Sequence, residues 1–234
     1  MNAIIAWLVS FMVLVAPVTS PQFTPEAKET PEEMQARYES IASDIATFLW
    51  NPNHPERALF SGDDGRGKTA SVMMGIMQFE SGFRKDVDYG LGHRGVGDGG
   101  RSFCLMQIQT GTNRTYAWNT VQNRFAYSND PPDQVVQGWT GPELVQDRKK
   151  CIEAGWRIMK TSFAACRALP VSEWLRMYAS GSCDEGSPQS RTRMNAGINW
   201  FNRNKPEFSD AAVLLSLSAP PPSRDDTNIL AIEP

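Results

Sequence analysis

The chain has 234 residues, of which 41% are hydrophobic and 21% charged, and its formal net charge is −3. This length suits one well-buried domain with or without tails, the composition fits a globular protein, and nothing in it indicates a nucleic-acid partner. Residues 21–33 and 205–234 each carry a net −3 and residues 1–20 carry no charge, so residues 34–204 carry a net +3. A mildly basic central region suits an anionic polymer such as cell wall, and ordinary surface charge is the alternative.

The chain begins with an apolar run over residues 3–18, intermediate in length between a signal-peptide core and a membrane-spanning helix. No Lys or Arg precedes it, and Pro17 and Pro21 flank the expected cleavage point near Ser20. We interpret residues 1–20 as a signal peptide or a membrane anchor, with a buried helix as the third alternative. The first two interpretations predict an exported protein, in the periplasm, the cell envelope or outside the cell.

The next segments predict a linker followed by two helices. Residues 21–31 resemble a linker, and Thr30-Pro31-Glu32-Glu33 predicts a helix start, because Thr30 can cap and Glu33 completes a capping box. Apolar residues then recur at helical spacing until Asn51-Pro52-Asn53 ends the helix. A second helix is predicted from Lys68 to Ser81 and is stopped by Gly82. Its predicted apolar side consists of Val72, Ile76, Met77 and Phe79.

The remaining segments predict loops and further helices, without a convincing strand. Residues 84–103 and 109–141 predict loops and short turns, the latter with Pro131-Pro132. Helices are predicted from Pro142 to Cys166, from Ser172 to Tyr178 and from Gln189 to Asn202. Residues 205–234 are predicted to form a partly disordered tail. The compact domain is therefore expected to span residues 32–204.

Glu80 is the first residue whose position suggests chemistry. It lies in the last turn of an apolar helix, where burial and the negative end of the helix dipole both raise the pKa of a carboxyl group. A glycine-rich stretch over residues 90–100 carries Asp98, and the chain then returns through Leu105-Met106-Gln107-Ile108. One carboxyl group held in a partly dry cleft is what a glycosidase general acid requires. The alternative is a solvated Glu at a helix end.

An ordered set of segments around Glu80 resembles a known family. Glu80-Ser81-Gly82-Phe83 followed by Ser102-Phe103-Cys104-Leu105-Met106-Gln107-Ile108 is similar to the lytic transglycosylase (SLT) domain of the lysozyme superfamily. Asp147 with Cys151-Ile152 resembles the segment that opens the family's next core helix, and Tyr178-Ala179-Ser180-Gly181 resembles a later motif, so the resemblance covers about residues 70–183. Gly97-Asp98-Gly99 also resembles a Gly-Asp step in goose-type lysozymes.

The resemblance implies a mainly α, lysozyme-like domain with long loops that cleaves the β-1,4 bond between N-acetylmuramic acid and N-acetylglucosamine. Glu80 would be the general acid and base and Asp98 a second carboxylate. The partner would be peptidoglycan glycan strands, no metal or organic cofactor is implied, and a monomer is expected. The implied substrate-binding residues are Ser81, Ser102, Met106, Gln107, Ile108, Tyr178 and Ser180. Met106 is expected to lie under the floor of the cleft. Periodicity alone would make Tyr178 an aromatic residue of the core.

Three residues depart from the family pattern. Cys104 stands where the family prefers Gly, Ser180 replaces an Asn, and Gln109 occupies the place of an Asp found in goose-type enzymes. These differences leave three alternatives open: a lytic transglycosylase, a hydrolase that uses Glu80 and Asp98, and a non-catalytic peptidoglycan-binding protein on the same scaffold.

The four cysteines predict disulfides, because their number is even and no CxxC spacing is present. Cys166 and Cys183 flank one short helix, which favours that pair and leaves Cys104 with Cys151. The other pairings, and four buried thiols, remain alternatives.

One nucleotide-binding pattern occurs in a sequence context that argues against nucleotide binding. Residues 62–69 match the P-loop pattern literally and precede a helix. However, Pro55 to Phe60 does not resemble the buried strand that a P-loop follows, and Asp63 and Asp64 would repel phosphate. We expect a loop that leads into the catalytic helix.

Overall fold

The structure, a computed structural model, describes residues 1–17, 24–110, 116–119, 124–127, 135–184 and 188–218. It is mainly helical, as predicted, with short strands inserted in its middle third. The side chains of residues 116–138 lie outside the described part, as do residues 18–23 of the predicted linker and residues 219–234 of the predicted tail.

Three helices form the first half of the core. They are α1 (Asn2–Val15), α2 (Pro31–Leu49) and α3 (Gly65–Glu80). The capping box predicted for α2 is present, since Thr30 accepts from the Glu33 amide and Glu33 accepts from the Thr30 amide. The predicted apolar side of α3 is correct except at Phe79, which is 46% exposed.

Helix α1 lies against α2 and α3 with its apolar face buried. Phe11 packs edge-on against Trp200 and Phe83, and the Trp7 indole nitrogen donates to the Asn204 carbonyl at 2.6 Å. In this arrangement the first residues form a buried helix, the third alternative given above, and their use as a cleaved signal or an anchor remains a prediction. Among the described residues no helix is long and apolar enough to cross a membrane.

The middle of the chain contains a short helix and two small antiparallel sheets. Helix α4 (Lys85–Asp88) opens the glycine-rich loop, and β1 (Ser102–Phe103) pairs with β2 (Ile108–Gln109). Three further strands are β3 (Tyr116–Asn119), β4 (Arg124–Tyr127) and β5 (Val135–Trp139). They form an antiparallel sheet in the order β4-β3-β5. The prediction of loop and short turns over 109–141 is therefore wrong at these strands.

The helix predicted from Pro142 to Cys166 is two helices in the structure, α5 (Gly141–Gln146) and α6 (Arg148–Ala165). Asp147 separates them because it leaves the helical conformation and caps α6, accepting from the Lys149 amide at 3.0 Å. The later helices are α7 (Arg176–Ser180), α8 (Pro188–Arg203) and α9 (Asp210–Ser218).

Helices α3 and α8 cross in close backbone contact at two glycines. A Cβ atom built on Gly75 would lie 2.5 Å from the Arg193 carbonyl oxygen, and one on Gly197 would lie 2.3 Å from the Ser71 carbonyl oxygen. Both distances are below any real contact, so this approach requires glycine at each position. The crossing fixes α8 against the helix that ends at Glu80.

Candidate active site

Glu80 is the last residue of α3, as predicted, and its carboxyl group is largely enclosed. Its side chain is 19% exposed. Arg193 on α8 donates to Glu80 Oε1 from Nε at 2.8 Å, and Arg193 Nη2 lies 2.8 Å from the same oxygen. The carboxyl group therefore has one oxygen held by a guanidinium and a narrow path to solvent.

The pKa of the Glu80 carboxyl group lies above its ordinary value, the direction that the sequence predicted. Burial is the main cause, because it disfavours the charged form. The Arg193 guanidinium opposes this by attraction and hydrogen bonding, and the nearby charge of Asp98 raises the pKa further. The site thus favours a carboxyl group that holds its proton to higher pH than a solvated Glu.

The glycine-rich loop folds back on itself and places Asp98 near enough to Glu80 for their charges to interact. Gly97 donates to the Ser102 carbonyl at 2.8 Å and Ser102 donates to the Gly97 carbonyl at 3.1 Å, which closes a tight turn. Asp98 lies in this turn with φ 50° and is exposed, and the Ser102 hydroxyl donates to its Oδ2. The turn therefore brings two sequence-predicted carboxylates into one region.

Gln107 is held beside this turn. A Cβ atom on Gly97 would lie 2.1 Å from Gln107 Oε1, so any larger residue at this position would displace the end of the Gln107 side chain. Gln107 Nε2 donates to the Cys104 carbonyl at 3.1 Å. We use the name candidate cleft for the region formed by Glu80, Asp98 and Gln107.

Backbone strain is concentrated in the same region. Among the described residues, four other than glycine have a positive φ: Phe83 at 55°, Asp98 at 50°, Cys104 at 62° and Gln107 at 47°. A side chain in the left-handed region costs roughly 1–3 kcal/mol and persists where the surrounding structure enforces it. Such residues cluster at functional sites, and here all four fall within one stretch that begins three residues after Glu80.

The other implied substrate-binding residues occupy different positions. The side chains of Met106 and Ile108 are 0% and 1% exposed, which argues against direct contact with a ligand and fits a supporting floor. Ser81 is buried and donates to the Met77 carbonyl at 2.8 Å, and Ser180 is exposed and donates to the Arg176 carbonyl at 2.9 Å. None of these contacts joins the candidate cleft.

Tyr178 connects α7 to the candidate cleft through the backbone. Its hydroxyl donates to the Met106 carbonyl at 2.7 Å, and its amide donates to the Ser162 hydroxyl at 3.1 Å. Tyr178 therefore braces the turn between β1 and β2, one residue before Gln107.

Two disulfides hold the elements around the candidate cleft. Cys104 is bonded to Cys151 and Cys166 to Cys183, which is the pairing that the sequence favoured. The first bridge joins the β1–β2 turn to α6, and the second joins the end of α6 to the segment after α7. Both bridges therefore use α6 as their support.

Removing the Cys104–Cys151 bridge is expected to destabilise the protein more than removing Cys166–Cys183. The bridges close loops with sequence separations of 47 and 17 residues. In the chain-entropy model these correspond to about 4 and about 3 kcal/mol of free energy of unfolding. Urea denaturation of C104S/C151S and C166S/C183S would measure this, and an unchanged midpoint for C104S/C151S would contradict it.

A buried charge network fixes the start of the glycine-rich loop. Arg148 on α6 donates to both Asp88 oxygens, at 2.9 and 2.8 Å, and to Asp44 on α2 at 2.8 Å. Asp86 is paired with Arg84 and accepts from the Thr24 hydroxyl at 3.3 Å. Asp86 and Asp88 are therefore structural ion-pair partners in this fold.

The P-loop-like segment is occupied by the protein's own carboxylate. Asp210 at the start of α9 accepts from the Arg66 amide at 2.7 Å and from the Trp50 indole at 3.0 Å. The segment before it, Pro55–Arg57, is a 3-10 helix rather than a strand. The backbone donor that a phosphate would use at this helix end is therefore already satisfied.

Sequence reasoning missed Arg193, the partner of Glu80. It lies in α8, beyond the segments that carry the family resemblance, and nothing local marks it. The close Gly75–Gly197 crossing is the physical cause of its position. Comparison of the chain with protein-family models, with curated proteins and with solved structures found no match.

Proposed function

We propose that this protein is a lysozyme-like enzyme that cleaves the β-1,4 bond between N-acetylmuramic acid and N-acetylglucosamine, acting as a lytic transglycosylase. The observation that carries the proposal is Glu80, a helix-end carboxyl group with a raised pKa, 19% exposed, facing a strained loop that carries Asp98. The order of motifs around it, described above, supplies the substrate class. Two disulfides support an exported location.

In this mechanism Glu80 acts first as an acid and then as a base. Its proton passes to the glycosidic oxygen, the bond from that oxygen to the muramyl C1 breaks, and an oxocarbenium-like centre develops at C1. The muramyl 6-hydroxyl then attacks C1 and loses its proton to the Glu80 carboxylate. The product is a 1,6-anhydro end, and Glu80 is restored in its protonated form.

The surroundings of Glu80 stabilise both protonation states that the two steps require. Burial favours the protonated form, which the first step needs. The Arg193 guanidinium favours the carboxylate, which exists between the two steps. One carboxyl group is sufficient, because the attacking hydroxyl belongs to the substrate.

The proposal is tested by release of soluble fragments from purified peptidoglycan sacculi. We expect the oxidised full-length chain to solubilise labelled sacculi without added metal. A protein that sediments with the sacculi and releases no label would instead be the non-catalytic binding protein, for which the departures at Cys104 and Ser180 are the observations in favour.

A hydrolase is the second candidate, favoured by the position of Asp98. Its charge reaches the Glu80 carboxyl group and its Oδ2 is held by the Ser102 hydroxyl, as a water-positioning carboxylate would be. In that reaction a water replaces the muramyl 6-hydroxyl and the product has a reducing end.

Asp98→Asn separates the two mechanisms. Under the transglycosylase mechanism we expect D98N to keep anhydro products, and the basic limb of its pH–rate profile to move to lower pH. The limb moves because the Asp98 charge raises the Glu80 pKa, and removing it lowers that pKa. A decrease in activity of roughly 10²–10⁴-fold in folded D98N would favour the hydrolase.

A further inference from the structure

The contact between Arg193 and Glu80 is restricted to one carboxylate oxygen. Arg193 Nε and Nη2 each lie 2.8 Å from Oε1, and the two side chains are only 13% and 19% exposed. Among the residues that the structure describes, no hydrogen bond reaches Oε2. Oε1 is therefore the anchored oxygen, and Oε2 is the oxygen available to a ligand.

The backbone that carries Arg193 is fixed relative to α3. Its carbonyl oxygen lies where a Cβ atom on Gly75 would be 2.5 Å away, and Gly197 is in equally close contact with Ser71. Helix α8 has little room to slide along α3 or to move closer to it at this crossing. The guanidinium is thereby delivered to the end of α3 by a rigid element rather than by a loop.

Two charged groups act on the Glu80 carboxyl group, Arg193 from α8 and Asp98 from the loop. Helix α1 carries no charged side chain. The buried Arg37 of α2 is paired with Glu29, and Asp210 of α9 is bound at the opposite end of α3. Within the described part of the chain, the charged groups that act on Glu80 are therefore one cation, Arg193, and one anion, Asp98.

We propose that Arg193 is a positioning residue that holds Glu80 by Oε1, directs Oε2 towards the ligand, and stabilises the carboxylate left after proton donation. This inference rests on the proposed function and extends it to a residue outside the family-like segments. The two guanidinium nitrogens hold Oε1 in place more firmly than a single ammonium could.

The test compares Arg193→Met, Arg193→Lys and the matched control Arg191→Met. Arg191 lies on the same helix, is 53% exposed and pairs with Glu173 away from Glu80. We expect R193M to lower kcat on soluble glycan fragments by roughly 10- to 100-fold with little change in KM. Its pH–rate basic limb should move to higher pH, because removal of the cation destabilises the carboxylate and raises the Glu80 pKa.

The conservative variant separates charge from geometry. R193K keeps the cation, so we expect the basic limb to return to its original position while kcat remains below that of the parent. R191M should change neither quantity. Should R193M not fold, R193Q removes the charge while keeping a hydrogen-bond donor.

A direct titration keeps this inference distinct from the proposed function. Carbon-13 NMR of the Glu80 carboxyl group should show a higher titration midpoint in R193M than in the parent and R191M. An unchanged midpoint in folded R193M would overturn the role of Arg193, even in an active enzyme. If the parent releases no muropeptide, the proposed function fails, and the NMR midpoint still decides whether Arg193 controls Glu80.

Discussion

Glu80→Gln should leave the fold intact and reduce peptidoglycan solubilisation by roughly 10²–10⁴-fold, the usual contribution of a general acid. Gln has nearly the same shape, and its carbonyl oxygen can still accept from Arg193, whose Nε donates at 2.8 Å in the parent. It cannot release a proton to the glycosidic oxygen. The loss is therefore expected in kcat and not in binding to sacculi.

The measurement combines turbidity clearing of sacculi with thermal unfolding monitored by circular dichroism. Glu153→Gln is a suitable control, because Glu153 pairs with Arg157 on α6 at a similar exposure of 24%. Comparable clearing by E80Q and the parent would remove Glu80 from the mechanism. Loss of activity together with unfolding would require the milder Glu80→Asp, which keeps the acid and shortens the side chain.

Deleting residues 1–17 should prevent the domain from folding stably. Helix α1 buries Ile4, Leu8, Phe11 and Met12, each no more than 1% exposed. Burial of each such side chain contributes roughly 1.5–3 kcal/mol to the free energy of unfolding, so removing all four would lower it by roughly 6–12 kcal/mol. The total free energy of unfolding of a domain is only about 5–15 kcal/mol, so this loss is comparable with the total.

Single substitutions on α1 provide the matched test. Phe11→Ala should lower the free energy of unfolding by about 3–5 kcal/mol, whereas Leu14→Ala, at a site 67% exposed, should change it by no more than about 0.5 kcal/mol. Urea denaturation measures both. Equal, small effects would contradict a core role for α1 and favour its use as a cleaved signal or an anchor.

Local patterns were sufficient to predict α2, α3 and α8 and the position of Glu80 at the end of α3, but not α4, α5 or α9. The capping box at Thr30 and the apolar spacing of α2 act within one turn of the chain, so they are visible in the sequence. Glu80 lies at the end of α3 because Gly82 cannot continue the helix, and its raised pKa follows from burial.

Features that depend on distant residues could not be predicted in this way. Arg193 reaches Glu80 only because two glycines let α8 approach α3, and no local pattern reports that crossing. The strand β3 was missed because four residues give little periodicity, although Tyr116 and Trp118 alternate as strand residues do. Periodicity alone missed the break at Asp147, because an N-cap inside a long apolar pattern resembles a continuous helix, although the family resemblance indicates a helix start at this residue.

Mass spectrometry of the soluble products from purified sacculi tests the central proposal most directly. After digestion by the oxidised full-length chain, we expect muropeptides with 1,6-anhydromuramyl ends, and roughly 10²–10⁴-fold less of them after treatment with E80Q. Products with reducing ends would contradict the transglycosylase mechanism and support hydrolysis with Asp98. Absence of any soluble muropeptide from the folded parent would contradict cleavage by Glu80 altogether.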